Sequence, residues 1–136
     1  MSISTEAPPK ESRLLHAELT DHIIAAAIEV HRALGPGLLE SAYEECLCYE
    51  LDLKKLQHAR QVPLPVRYKQ IVLPVGYRMD IVVGDAVVVE VKSVEKLERI
   101  HEVQLVTYLR LSGKRVGLLI NFNVPLLRNG IVRRVL

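Results

Sequence analysis

Two β-branched runs joined by Gly84-Asp85 constrain this chain more than anything else in it. The stretch reads Tyr77-Arg78-Met79-Asp80-Ile81-Val82-Val83, then Gly84-Asp85, then Ala86-Val87-Val88-Val89-Glu90-Val91-Lys92. Apolar runs with so little alternation belong to central strands, which are buried on both faces of a sheet. Set into them are Asp80, Glu90 and Lys92, charges that are costly to bury without a partner or a metal. Glu90 and Lys92 are two apart, so they project from one face of a strand.

The connection decides where Asp80 goes. A two-residue turn at Gly84-Asp85 would pair Val83 with Ala86 and Asp80 with Val89, sending Asp80 and Glu90 to opposite faces. A three-residue loop pairs Val83 with Val87 and sets Asp80 opposite Glu90. A bulge has the same effect. The residue types therefore predict an odd-length loop or a bulge, because hard oxygen ligands beside one ammonium suit Mg²⁺-assisted phosphodiester cleavage only if they share a face.

The rest of the chain reads as α-α-β-β-β-α-β-β. Thr20 is placed to cap a helix through Ile23, Ile24, Ala27, Ile28, His31 and Leu34, stopped by Gly35-Pro36-Gly37. A second helix covers about 39–56, with Glu40, Tyr43, Leu47 and Leu51 on one stripe. Val62, Leu64, Val66 and Tyr68 alternate as a strand, and Pro63 and Pro65 assign it to a sheet edge. A helix over 93–111 carries Ile100, Val103, Gln104, Thr107, Tyr108 and Leu111 on one face. A buried strand over 115–122 and a short one over 131–135, after the Asn129-Gly130 turn, complete the pattern. The strand–helix–strand passage implies a parallel crossover beside an antiparallel meander.

At 136 residues, 49% apolar and 25% charged, the chain reads as one domain, 1–136, with a substantial core rather than a disordered segment. Residues 1–12, with Pro8-Pro9, read as a flexible tail and not as a signal peptide. No apolar run approaches the roughly 20 residues of a membrane span. Cys46 and Cys48 fall on different faces of a helix and are poorly placed to bridge. Two reduced thiols in a cytoplasmic protein is the expectation, with too few ligands for zinc. Charge is unevenly spread. Residues 1–102 carry 12 basic and 16 acidic groups, whereas 103–136 carry six basic groups (Arg110, Lys114, Arg115, Arg128, Arg133 and Arg134) and no acid. That is either a solubilising surface or a basic wall for a polyanion.

Assembled in order, these residues resemble the PD-(D/E)XK nuclease superfamily, with its α-β-β-β-α-β core. Within it the likeness is to the small GxxExxY proteins, through Gly37-Leu38-Leu39-Glu40-Ser41-Ala42-Tyr43 preceded by His31 and Gly35-Pro36. Asp80, Glu90-Val91-Lys92, Gln104 with Tyr108, and Leu119–Asn123 fall where that pattern puts them. The resemblance implies an α/β, restriction-endonuclease-like fold, with a mixed four- to five-stranded sheet flanked by helices. It implies a metal held by Asp80, Glu90, the Val91 carbonyl and Glu40, the last directly or through water. Mg²⁺ is the expected ion, with Mn²⁺ an alternative. Lys92 would orient or help deprotonate the attacking water, and Gln104 would face the site. Each residue also has a plainer reading: Lys92 as an ion-pair partner, Glu40 as a helix-dipole residue, Gln104 as a satisfied core amide, Tyr43 and Tyr108 as core. The expected activity is metal-dependent hydrolysis of nucleic acid, DNA ahead of RNA. The alternative is a catalytically inactive nuclease-fold module binding nucleic acid or a partner protein, with a homodimer also open.

Overall fold

In a computed structural model, described over residues 15–74 and 76–136, the long apolar runs form the centre of a mixed sheet. The expected tail over residues 1–12 lies outside the described residues. The elements are α1 (Ala17–Leu34), α2 (Glu40–Leu53), β1 (His58–Pro63), β2 (Val66–Tyr68), β3 (Ile71–Leu73), β4 (Arg78–Val83), β5 (Val87–Lys92), α3 (Arg99–Ser112), β6 (Val116–Asn121) and β7 (Ile131–Val135). Five strands lie in the order β1-β4-β5-β6-β7, and β2 with β3 forms a separate small hairpin. Among the described residues only β5 and β6 pair in parallel, joined by the α3 crossover. The expected α/β fold with a mixed sheet flanked by helices is what the chain adopts.

Each face of the sheet buries its own apolar set. Ile81, Val83, Val87, Val89, Val91, Leu118 and Ile120 pack against Ile23, Ala27, Tyr43, Leu47 and Leu51 of α1 and α2. On the other face Met79, Val82, Val88 and Leu119 pack against Leu105, Tyr108 and Leu109 of α3. Two-sided burial explains why these strands carry so few polar residues.

Several boundaries differ from the sequence reading, each for a local reason. Thr20 is inside α1 rather than capping it; its hydroxyl donates to the Ala17 carbonyl at 3.0 Å and is buried. The edge strand is not continuous from Val62 to Tyr68. β1 ends at Pro63, Leu64 turns in to donate its N–H to the Tyr77 carbonyl, and β2 leaves to pair with β3. α3 begins at Arg99 rather than Ser93 because Glu98 and His101 close a capping box. The preceding loop is held by Asn121, whose side chain accepts from the Val94 N–H and donates to the Val94 carbonyl. On α3 the buried residues are Leu105, Tyr108 and Leu109, while Ile100, Val103 and Leu111 of the expected face stay exposed.

Gly130 marks a close approach. A Cβ there would stand 2.3 Å from the Asn121 carbonyl oxygen, a backbone atom that cannot step aside alone. Gly130→Ala is therefore expected to destabilise the protein by about 1–3 kcal/mol, read as a lowered denaturation midpoint. An unchanged midpoint would show that the segment before β7 shifts freely.

Candidate active site

The site is at the end of the sheet where β5 and β6 finish and β4 begins, the strand end at which open α/β sheets place their ligands. The β4–β5 register pairs Val83 with Val87, Val82 with Val88 and Ile81 with Val89. The connection is thus the odd-length one, Gly84-Asp85-Ala86, and Asp80 stands opposite Glu90. The regular ladder stops there. The Asp80 N–H donates to Glu90 Oε2 at 2.7 Å, and the Val91 N–H donates to Asp80 Oδ2 at 2.8 Å. Each carboxylate occupies the place of a main-chain acceptor. A residue's N–H and C=O leave a strand toward the same neighbour, so the Val91 carbonyl also faces β4 beside Asp80.

A break in β4 makes room for this exchange. Ile81 and Val83 belong to the α1/α2 core, yet Met79 and Val82, three apart, both belong to the α3 core. Strict alternation would put Met79 with Ile81. Across on β1 the ladder skips Gln61, which has φ of 50°, and resumes at Val62. The two strands therefore kink together at Gln61 and Asp80.

Burial makes both carboxylates reluctant anions. Desolvation raises the Asp80 carboxyl above its usual range, opposed by the Val91 N–H. Glu90 is pushed up to about 8, first by burial and then by the charge of Asp80. Lys92, at the end of β5, favours ionisation of both but makes no ion pair with either among the described residues. The plainer reading of Lys92 as a structural salt-bridge partner is therefore not what the geometry displays.

Glu40 reaches this end of the sheet from α2. Its Oε2 accepts the Ser93 N–H at 3.4 Å, beside Lys92. The Gly37–Tyr43 segment explains how. Tyr43 stacks on Phe122 with centroids 4.5 Å apart, donates its hydroxyl proton to the Gly35 carbonyl and accepts the Leu38 N–H. Gly37 has φ of 101°, which disfavours any residue with a Cβ. The Ser93 hydroxyl then donates to the Leu38 carbonyl at 2.6 Å, tying the loop to the end of β5. His31 anchors the same region through Val124, its Nε2 standing 2.7 Å from that carbonyl oxygen. Tyr43→Phe should cost about 1 kcal/mol, because it removes the hydroxyl that bonds the partly buried Gly35 carbonyl and the Leu38 N–H. Thermal unfolding checks this; a wild-type midpoint would remove the hydroxyl from the explanation.

Gln104 is less direct. Its side-chain N–H donates to the Tyr108 hydroxyl at 3.2 Å, and Tyr108 in turn feels the charge of Glu90. The pair therefore borders the carboxylates without touching them. Three further residues escape the sequence reading. Glu44, buried one turn after Glu40, is the charge that acts most strongly on Asp80 and raises its carboxyl further. Arg60 donates to Glu44 at 2.8 Å and to Glu45 at 2.7 Å, and Gln61 donates to Glu44 at 2.9 Å. Glu44 lies on the same stripe as Glu40, Tyr43 and Leu47, so helical spacing could have found it; Arg60 and Gln61 leave no such signal.

The basic final third does not gather at the site. Lys114 pairs with Asp85 in the hairpin turn at the far end of the sheet, and Arg134 pairs with Glu102. Arg115 and Arg133 donate to the Leu136 and Leu15 carbonyls. Of that third only Arg128 is at the site end; the other exposed cations there among the described residues are Arg67, Lys69, Arg78, Lys96 and Arg99.

The family model described as the PD-(D/E)XK nuclease superfamily matches residues 17–135. The chain belongs to the PD-(D/E)XK nuclease superfamily. Comparison with curated proteins and with solved structures returns no significant match. Nucleases of this superfamily generally use divalent metals. In this PD-(D/E)XK chain no three His, Cys, Asp or Glu side chains are gathered as a ready metal cage among the described residues. Glu40 accepts the Ser93 N–H and takes no part in the exchange between Asp80 and Glu90. A buried Glu90 and a half-buried Asp80 that both resist ionisation, with a main-chain carbonyl alongside, nevertheless fit an ion such as Mg²⁺, which is commonly bound through one or two carboxylates and retains several waters.

Proposed function

We propose that this protein is a metal-dependent nuclease that hydrolyses phosphodiester bonds of nucleic acid, DNA ahead of RNA. The observation that carries the reading is the exchange between Asp80 and Glu90, which presents two costly anions side by side with Lys92 on the same strand. Asp80, Glu90 and the Val91 carbonyl would hold the cation, with Glu40 reaching it through water. Mg²⁺ suits an all-oxygen set, and Mn²⁺ would also fit. Bound there, the ion supplies Lewis-acid polarisation of a phosphoryl oxygen and a more acidic water.

The protein's own groups do the remaining work. Lys92 orients the attacking water and offsets the negative charge that develops on phosphorus-bound oxygens. Glu44, held by Arg60 and Gln61, keeps the kink at Asp80 in place and raises the pull of the site for a cation. Gln104 fixes the Tyr108 hydroxyl beside Glu90. Among the described residues no helix is long and apolar enough to cross a membrane. Cys46 and Cys48 are both unbridged, which supports a reducing, cytoplasmic setting.

The test is cleavage of labelled single- and double-stranded DNA and RNA by purified protein in Mg²⁺ or Mn²⁺. Metal-dependent product formation is expected, and none in chelator. Binding without cleavage across all substrates and both metals would overturn the reading.

A further inference from the structure

We propose that the groove between α3 and the Val66/Tyr77 segments is a subsite for an unpaired nucleobase, so that the carboxylate pair acts on single-stranded or locally unstacked nucleic acid. This rests on the nuclease reading above and extends it to the kind of substrate.

The groove encloses about 410 Å³, and its walls include Val66, Tyr77, Ile100, Val103, Gln104 and Tyr108. Its chemistry is divided. Tyr77 is 48% exposed and meets Tyr108 edge-on, with centroids 6.4 Å apart, so one wall is an aromatic ring open to solvent. Ile100, 66% exposed, and Val103, 47% exposed, make an apolar wall on a helix whose packing face is elsewhere. Gln104 spends one N–H on the Tyr108 hydroxyl, leaving its carbonyl and second N–H free for a base edge. Among the described residues no charged side chain lines the groove.

Its surroundings are the reverse. Arg67, Arg78 and Arg99 each adjoin a lining residue in sequence (Val66, Tyr77 and Ile100), and all three are exposed. None makes an ion pair among the described residues. On the neighbouring hairpin Tyr68 is exposed with the Lys69 ammonium 5.3 Å from its ring centroid. Aromatic faces for bases, set within cations for the backbone, are how proteins hold single strands. Charge complementarity favours a polyanion here over an apolar protein helix. The position favours one too, because Tyr108 packs with Met79 and Val88, strand neighbours of Asp80 and Glu90. A base stacked within a duplex could not enter; one displaced from the stack could.

The experiment measures binding by fluorescence anisotropy in Ca²⁺ or EDTA. The probes are a labelled single-stranded oligonucleotide, its blunt duplex, and the same strand built with abasic positions. Wild-type protein should bind the single strand at least about tenfold more tightly than either other probe. Tyr77→Ala should weaken single-strand binding between about fivefold and a hundredfold while leaving duplex binding unchanged. Tyr77→Trp, which keeps a stacking face, should restore it. Equal binding of the three probes, no binding of any, or a Tyr77→Ala variant that binds like wild type would each overturn the proposal. So would a dimer that Tyr77→Ala dissolves without changing oligonucleotide binding, since the groove would then hold a second copy. Because binding is read without turnover, a protein that binds strands through Tyr77 but cuts none keeps this inference and sinks the nuclease reading. A protein that cuts but binds duplex and strand alike does the opposite.

Discussion

Replacing Lys92 with alanine should lower metal-dependent cleavage by about 10²–10³-fold, the cost of removing one preorganised charge from a reacting phosphate. The fold should survive. Lys92 is half-buried and makes no ion pair with Asp80 or Glu90, so its removal strands no partner. Asp80→Asn should be as damaging to activity for a different reason. Its amide oxygen can still accept the Val91 N–H, keeping the local structure, but the negative charge is gone. Cleavage rates beside far-ultraviolet circular dichroism and unfolding midpoints separate the two effects. Cleavage at wild-type rates by folded Lys92→Ala would mean that another site or another protein does the cutting.

Stability in the absence of divalent ions should fall as the pH rises from about 5 to about 8, and Glu90→Gln should remove most of that fall. The sign follows from Glu90 being pushed up to about 8 in the folded protein, against about 4.3 in an unfolded chain. Between those values the folded state keeps a proton that the unfolded state has released, so raising the pH favours unfolding. The contribution is full below about 4.3 and is lost as the pH passes through 8. Asp80 is raised as well and acts in the same direction. Each pH unit is worth about 1.4 kcal/mol, so the change amounts to a few kcal/mol, a large share of a small domain's 5–15. Mg²⁺ should reverse it, raising the midpoint more at pH 8 than at pH 5. Denaturant titrations at several pH values, with chelator or Mg²⁺, read this directly. A wild-type profile that matches Glu90→Gln would show that Glu90 stays ionised without help.

What the sequence could say about this protein depended on whether the information was local. The central strands were legible because two-sided burial leaves a continuous apolar signature. Counting residues left two registers open, and the need to bring Asp80 and Glu90 to one face selected the pairing of Val83 with Val87 that the structure has. Cross-chain pairings were not legible. Nothing marks Arg60 and Gln61 as partners of Glu44, and the kink they share with Asp80 needs both strands to be seen. The α3 face was misread because exposed Ile100, Val103 and Leu111 obey the same helical spacing as buried Leu105 and Leu109. The basic third misled for the opposite reason: neighbours in sequence are scattered in space, and four of its six cations are engaged inside the molecule.

The hairpin connection at Gly84–Ala86 lies at the far end of the sheet from Asp80, yet it governs the parity of everything that follows. One residue added or removed there would turn Glu90 and Lys92 to the opposite face while leaving their own strand unchanged in sequence. Length change in this turn is therefore tolerable in steps of two and ruinous in steps of one. A segment that touches no substrate thus carries an arithmetic condition on the chemistry, and a descendant of this chain could lose its site without losing a single one of the residues that form it.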